Sequence, residues 1–141
     1  MSEPASMDLP SLQRLLDTVF APWVRELGLR VTHAKTDEVH LVLPITTQHV
    51  HGGGVVCGQT LMAAADTAMV LAVASQLGGF KPMTTVQLQT SFLRPIAAND
   101  TEALVVARVL RLGKNLAFGE IEVQDAYGRL AAHCTTTYAL L

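Results

Sequence analysis

The sequence predicts an α+β protein in which a curved antiparallel sheet wraps one central apolar helix, with an additional helix at the N-terminus. Three observations predict it. Residues 58–77 are rich in Ala, Leu and Met, long enough for a helix and apolar on every side, so they must be covered on every side. Four strand-like runs follow in succession with short polar turns between them, the pattern of an antiparallel meander. An amphipathic helix and two further strand-like runs come before. A sheet curled around the helix buries it economically, and an edge or face left open is available to a second copy of the chain.

Residues 1–8 read as a frayed leader, without the basic and apolar regions of a signal peptide. Over residues 9–27, Leu12, Leu15, Leu16, Val19, Phe20, Trp23, Val24 and Leu27 recur at spacings of three and four. Ser11, beside Pro10, is the expected start and Gly28 the stop, with Pro22 set to kink or split the helix. Strands are expected at 29–34 and 39–43, joined by the polar turn Lys35-Thr36-Asp37-Glu38. The loop 46–54 is made permissive by Gly52, Gly53 and Gly54, and Gly78-Gly79 end the central helix. Strands are then expected at 84–94, 102–111, 116–125 and 129–140. Turn signals separate them at Ala98-Asn99-Asp100, Gly113-Lys114-Asn115 and Ala126-Tyr127-Gly128.

Composition narrows the function. Half of the 141 residues are hydrophobic and 16% are charged, too apolar for a disordered tail. A net charge of −2 leaves no basic excess to release counterions from a nucleic acid or to seek an anionic membrane. The length suits a single domain over residues 1–141. Cys57 and Cys134 are too few for a disulfide framework, and no cysteine–histidine pair stands at zinc spacing, so reduced thiols in a cytoplasmic protein are expected. The apolar run approaches the length of a membrane span. It carries Gln59, Thr60, Asp66, Thr67, Ser75 and Gln76, however, and a central aspartate costs a span about 2.5–3.5 kcal/mol. A buried helix is the better reading.

Asp66 is the single acid between Glu38 and Asp100, and no Lys or Arg lies between Lys35 and Lys81. A carboxylate in an apolar helix without a local counter-charge either turns to solvent or a backbone group, or works at a site. His51-Gly52-Gly53-Gly54 invites comparison with the oxyanion loop of α/β-hydrolases, but none of the five serines has the flanking glycines of a nucleophile elbow. Taken singly, His51 is a loop histidine, Cys57 a small apolar residue, His133 a strand residue, and Arg111 and Lys114 hairpin charges.

Together these segments have a likeness. Cys57-Gly58-Gln59-Thr60-Leu61-Met62-Ala63-Ala64-Ala65-Asp66-Thr67-Ala68 resembles the helix motif of hotdog-fold acyl-CoA thioesterases, in particular the phenylacetate-pathway (PaaI-type) group. That motif reads His-Gly-Gly, six residues, then Asp or Glu. Phe92-Leu93-Arg94-Pro95 resembles the end of that group's next strand. Arg111-Leu112-Gly113-Lys114 followed by Glu120-Ile121-Glu122-Val123 resembles its later hairpin. The likeness covers about residues 30–140 and leaves the N-terminal helix as an addition. Cys57 stands where the group carries histidine, Gln59 where it carries the second glycine, and His51 where related enzymes often carry Asn or Gln.

The resemblance implies hydrolysis of an acyl-CoA thioester by a homodimer or dimer of dimers, with no metal and no cofactor beyond the CoA of the substrate. Asp66 would be nucleophile or general base, the Gly58 amide the oxyanion donor, and His51 a residue orienting water. Cys57, Gln59, Thr84, Thr85, Arg94 and Lys114 would meet the substrate, with Thr84 or Thr85 steadying the carboxylate. The chemistry is coherent. Unpaired amides at a helix start can hold a developing oxyanion, and glycine lets the thioester come close. Asp66 lies about 12 Å further along the same helix, so the two groups meet only if two helices lie antiparallel across a dimer interface. A non-catalytic acyl-CoA-binding domain is the second reading, and a hotdog dehydratase or hydratase the third.

Overall fold

Asp8 opens the first helix. The computed structural model describes residues 7–141, so most of the expected leader lies outside the described residues. Asp8 itself is the cap of α1 (Leu9–Thr18), its Oδ1 accepting the Ser11 amide at 2.9 Å. The cap is therefore Asp8 and not Ser11: a carboxylate placed before the proline accepts from the third helical amide. Leu12 and Leu16 are buried along one stripe. The helix does not continue to residue 27. Pro22 has no amide hydrogen, and its ring clashes with the carbonyl four residues back, that of Thr18, where α1 stops. Pro22 then starts a separate short turn, α2 (Pro22–Arg25).

The strands are β1 (Arg30–Lys35), β2 (Glu38–Pro44), β3 (Met83–Phe92), β4 (Glu102–Leu112), β5 (Leu116–Gln124) and β6 (Leu130–Leu140). Between β2 and β3 lie a short 3-10 turn (Thr47–His49) and α3 (Gly58–Leu77). The strands form one antiparallel sheet in the order β1-β2-β4-β5-β6-β3. This is the hotdog fold, the sheet curving about α3 with α1 added at its side.

One expectation fails. The last four strands are not one meander: β4, β5 and β6 are, but β3 lies at the far edge beyond β6. The segment between β3 and β4 has to return across the start of α3, and it is tied there. The Val56 amide donates to the Ile96 carbonyl at 2.9 Å, the Ala98 amide to Gly54 at 3.1 Å, and the Ile45 amide to Thr101 at 3.0 Å, which delivers β4 beside β2. Short links in sequence do not imply neighbouring strands when a helix lies in the way.

Alternation does the rest. In β2, Val39, Leu41 and Leu43 turn inward, joined by Val105 and Ala107 of β4 and Ile121 and Val123 of β5. α3 is long and apolar enough to cross a membrane, yet it is the core helix, with Ala64, Ala65, Ala68, Met69, Leu71, Ala72 and Val73 fully buried. Met69 lies directly over Gly119, where an added Cβ would stand 2.1 Å from Met69 Cε and 2.7 Å from the Arg108 carbonyl. Gly78 ends α3 in the left-handed conformation (φ 80°), the Gly79 amide reaching back to the Ala74 carbonyl at 3.0 Å.

Candidate active site

Asp66 sits two turns into α3, on the side that meets β3 and β6, and is half-buried. Thr85 Oγ1 donates to its carboxylate, 3.0 Å from Oδ1 and 3.3 Å from Oδ2. The Tyr138 hydroxyl reaches Oδ1 as well, and lies 2.9 Å from the Asp66 backbone carbonyl. Thr85 and Tyr138 are register partners across β3 and β6, so one point of the sheet supplies both donors. Oδ1 is thus held twice, while Oδ2 has a single, longer contact and is the freer oxygen. Burial, and then the Asp66 charge, push the Tyr138 phenol well above its usual range, so it remains a donor. Asp66, Thr84, Thr85 and Tyr138 open on a cavity of about 220 Å³ whose apolar wall is Phe20, Trp23, Val24, Val70 and Met83.

Gly58 is elsewhere. It is the first residue of α3 and lines a second cavity of about 420 Å³ with Phe92, Arg94 and Ile96. The Cys57 carbonyl takes the Thr60 and Leu61 amides, whereas among the described residues no acceptor meets the amides of Gly58 and Gln59. These two donors at the positive end of a 20-residue helix are placed to receive an anionic oxygen. A side chain at Gly58 would press on Phe92, whose Cζ is 3.1 Å from the position of a Cβ.

The other expected residues divide. Thr84 and Thr85 join Asp66; Arg94 joins Gly58. Cys57 Sγ lies 3.0 Å from Thr60 Oγ1, a local contact at the helix start. Gln59 faces a third cavity of about 300 Å³ with Trp23, Glu26, His49 and Thr60. His51 is exposed and its Nδ1 accepts the Gly53 amide at 2.8 Å, so within one chain it is bound to its own loop and lines none of these cavities. Lys114 is exposed in the β4–β5 hairpin, apart from all three.

Sequence reasoning missed Tyr138, His49 and Phe92. Tyr138 is one of two tyrosines, on an inward position of an alternating strand, which is a signal only once β3 is known to pair with β6. His49 is buried, its carbonyl accepting the Cys57 amide at 2.8 Å. It ties the loop to the start of α3.

Comparison with known proteins agrees with this fold. The sequence profile of the thioesterase superfamily matches residues 47–132. A proposed esterase of Thermoplasma volcanium is 29% identical over 126 residues, covering 84% of this chain and 86% of its own. Among solved structures, the phenylacetic acid degradation protein PaaI of Thermus thermophilus superposes with a TM-score of 0.76 at 26% identity, over 86% of this chain and all of that one. A thioesterase of Haemophilus influenzae superposes with a TM-score of 0.85 at 20% identity, over all of this chain and 95% of that one. The chain belongs to the thioesterase superfamily.

Proposed function

We propose that this member of the thioesterase superfamily hydrolyses an acyl-CoA thioester to the free acid and CoA, at a site shared between two copies of the chain. One observation carries the reading. A pinned carboxylate and a pair of unpaired helix-start amides occupy different cavities, at opposite ends of one strand whose outer edge is open. Asp66 is attached to the beginning of β3 through Thr85, and Gly58 lies against its end at Phe92. The two groups stand eight residues apart on one helix, about 12 Å along its axis, so one chain cannot bring them to one carbonyl.

Among the described residues β3 pairs with β6 alone, and Val86 (58% exposed) and Phe92 (52%) are open to solvent. An unpaired edge of this kind is suited to pair with another. Two β3 edges meeting antiparallel about the Leu88–Gln89 midpoint would set Thr85 of one copy opposite Phe92 of the other, and so Asp66 opposite Gly58. The thioester oxygen would then lie on the Gly58 and Gln59 amides while Asp66 Oδ2 either takes a proton from the attacking water or attacks the carbonyl carbon itself. In both routes the C–S bond breaks and CoA leaves as a thiolate that is then protonated; in the second, water then cleaves the acyl–Asp66 anhydride to release the acid and restore the carboxylate. The mixed apolar cavity beside Asp66 would take the acyl group, and Arg94 lines the cavity at Gly58. His51 is assigned to water only in the assembled site. A cytoplasmic location suits the substrate and the reduced cysteines.

Complementation tests the shared site. Asp66→Asn and Gly58→Ala chains are each expected to be nearly inert with acyl-CoA in a thiol-release assay. Refolded together, they form mixed dimers with one intact site and one doubly altered site, and activity returns to about one quarter of wild type for random pairing. No recovery in a mixture shown to exchange subunits would overturn the shared site. Tight acyl-CoA binding with no thiol release by the wild type would replace the hydrolase with a binding domain.

A further inference from the structure

On the sheet surface away from α3, His33 of β1 and His40 of β2 face each other in register, their ring centroids 4.7 Å apart. Strict alternation would not bring them together. Val31 pairs with Leu41, both buried, so Thr32 would be the partner of His40 and His33 would point into the core. The register shift between Val31 and His33 inserts one residue and turns His33 outward. Glu38, two residues before His40, projects on the same face, with Oε2 2.6 Å from His40 Nε2. One nitrogen or oxygen from each of His33, Glu38 and His40 lies within 4.8 Å of the other two.

The surroundings suit a cation. The second carboxylate oxygen of Glu38 accepts from Arg108 Nε at 2.9 Å, an outer contact that orients the carboxylate and leaves Oε2 for an ion. The positive charge of Arg108 is drawn away by Glu122 and Glu120, 3.5 and 3.9 Å from its Nη1. Lys35 Nζ is 4.0 Å from Glu38 Oε1 and its side chain is 61% exposed, free to swing off.

We propose that His33, Glu38 and His40 bind one divalent transition-metal ion of the zinc type. Two imidazoles and a carboxylate are the donors such ions take, with water or a further group in the remaining position. Ligand atoms around a tetrahedral ion stand about 3.3 Å apart. His40 and Glu38 therefore open slightly as the proton between them leaves, and the exposed His33 closes. The ion clips β1, an edge strand, to β2. It lies on the opposite face of the sheet from Asp66 and takes no part in thioester cleavage, so the site stands whether or not the proposed function does.

The test is calorimetric titration of untagged protein with ZnCl2 in a non-chelating buffer near pH 7.5, with thermal unfolding as a second readout. One zinc per chain is expected, with a rise in Tm at saturation. His33→Ala, His40→Ala and Glu38→Gln should each weaken binding at least about tenfold and remove the Tm rise, while His51→Ala binds as wild type. No zinc uptake, or uptake unchanged by either histidine substitution, would overturn the site.

Discussion

The Tyr138 hydroxyl faces the backbone carbonyl and the side-chain carboxylate of Asp66 at once, joining the last strand to the middle of the core helix across 72 positions of sequence. It fixes the carboxylate relative to α3 itself, so helix and acid move as one body. In a shared site this would matter, because the carboxylate would have to present its freer oxygen, Oδ2, to a carbonyl held by another copy.

Asp66→Asn keeps the size and removes the charge. It should lose at least about 10²-fold in kcat, with KM little changed because, on the proposed function, most of CoA would be bound far from this carboxylate. Folding should persist, since Thr85 and Tyr138 can still donate to the amide oxygen. A folded mutant turning over acyl-CoA at the wild-type rate in the thiol-release assay would remove Asp66 from the chemistry.

Tyr138→Phe keeps the buried ring and deletes one donor to a charged group. About 1–2 kcal/mol of stability should be lost in urea unfolding, and kcat should fall about tenfold through looser positioning of Asp66. An unchanged kcat at reduced stability would make Tyr138 a packing residue only.

Cys57→Ala distinguishes a wall from a nucleophile. The thiol sits at the helix start against Thr60, and its loss should leave most of the turnover. A fall as deep as that of Asp66→Asn in parallel assays contradicts this.

Gly119→Ala puts a methyl where Met69 and the Arg108 carbonyl already stand. Met69 can rotate away but the strand carbonyl cannot, so stability should drop by about 1–3 kcal/mol. Chemical denaturation reads it directly; a neutral outcome would mean that β5 can shift away from α3 at no cost.

Glu38 supplies a pH dependence. The hydrogen bond with His40, opposed by partial burial and aided by Arg108, holds its carboxyl below the ordinary 4.5. A group lowered by folding stabilises fully above its unfolded pKa, and that stabilisation fades as pH falls through the folded value. Metal-free Glu38→Gln should therefore be less stable than wild type near neutrality, and the two Tm curves should converge below about pH 4. Parallel curves from pH 7 to pH 3 would refute it.

The extents of the strands and of the central helix were legible in the chain, whereas the N-terminal helix stops at Thr18 and not at residue 27. An all-round apolar run between Gly58 and Gly78 can only be a covered helix, and the period-two runs can only be strands with one face buried. Asp66 was legible as well, because a single acid in that run is conspicuous. These are local facts of polarity and spacing, and the sequence determines them by itself. The order of strands is not local. It depends on how the chain returns past the start of α3, and a reading that set β3 beside β4 had no reason to look on β6 for a partner to Asp66. Tyr138 came into view only when β3 took its place beside β6, and His33 turned outward only through a one-residue bulge that no periodicity announces. Tertiary structure decided both, because register across a sheet joins residues far apart in sequence, and one residue of shift sends a side chain to the other face.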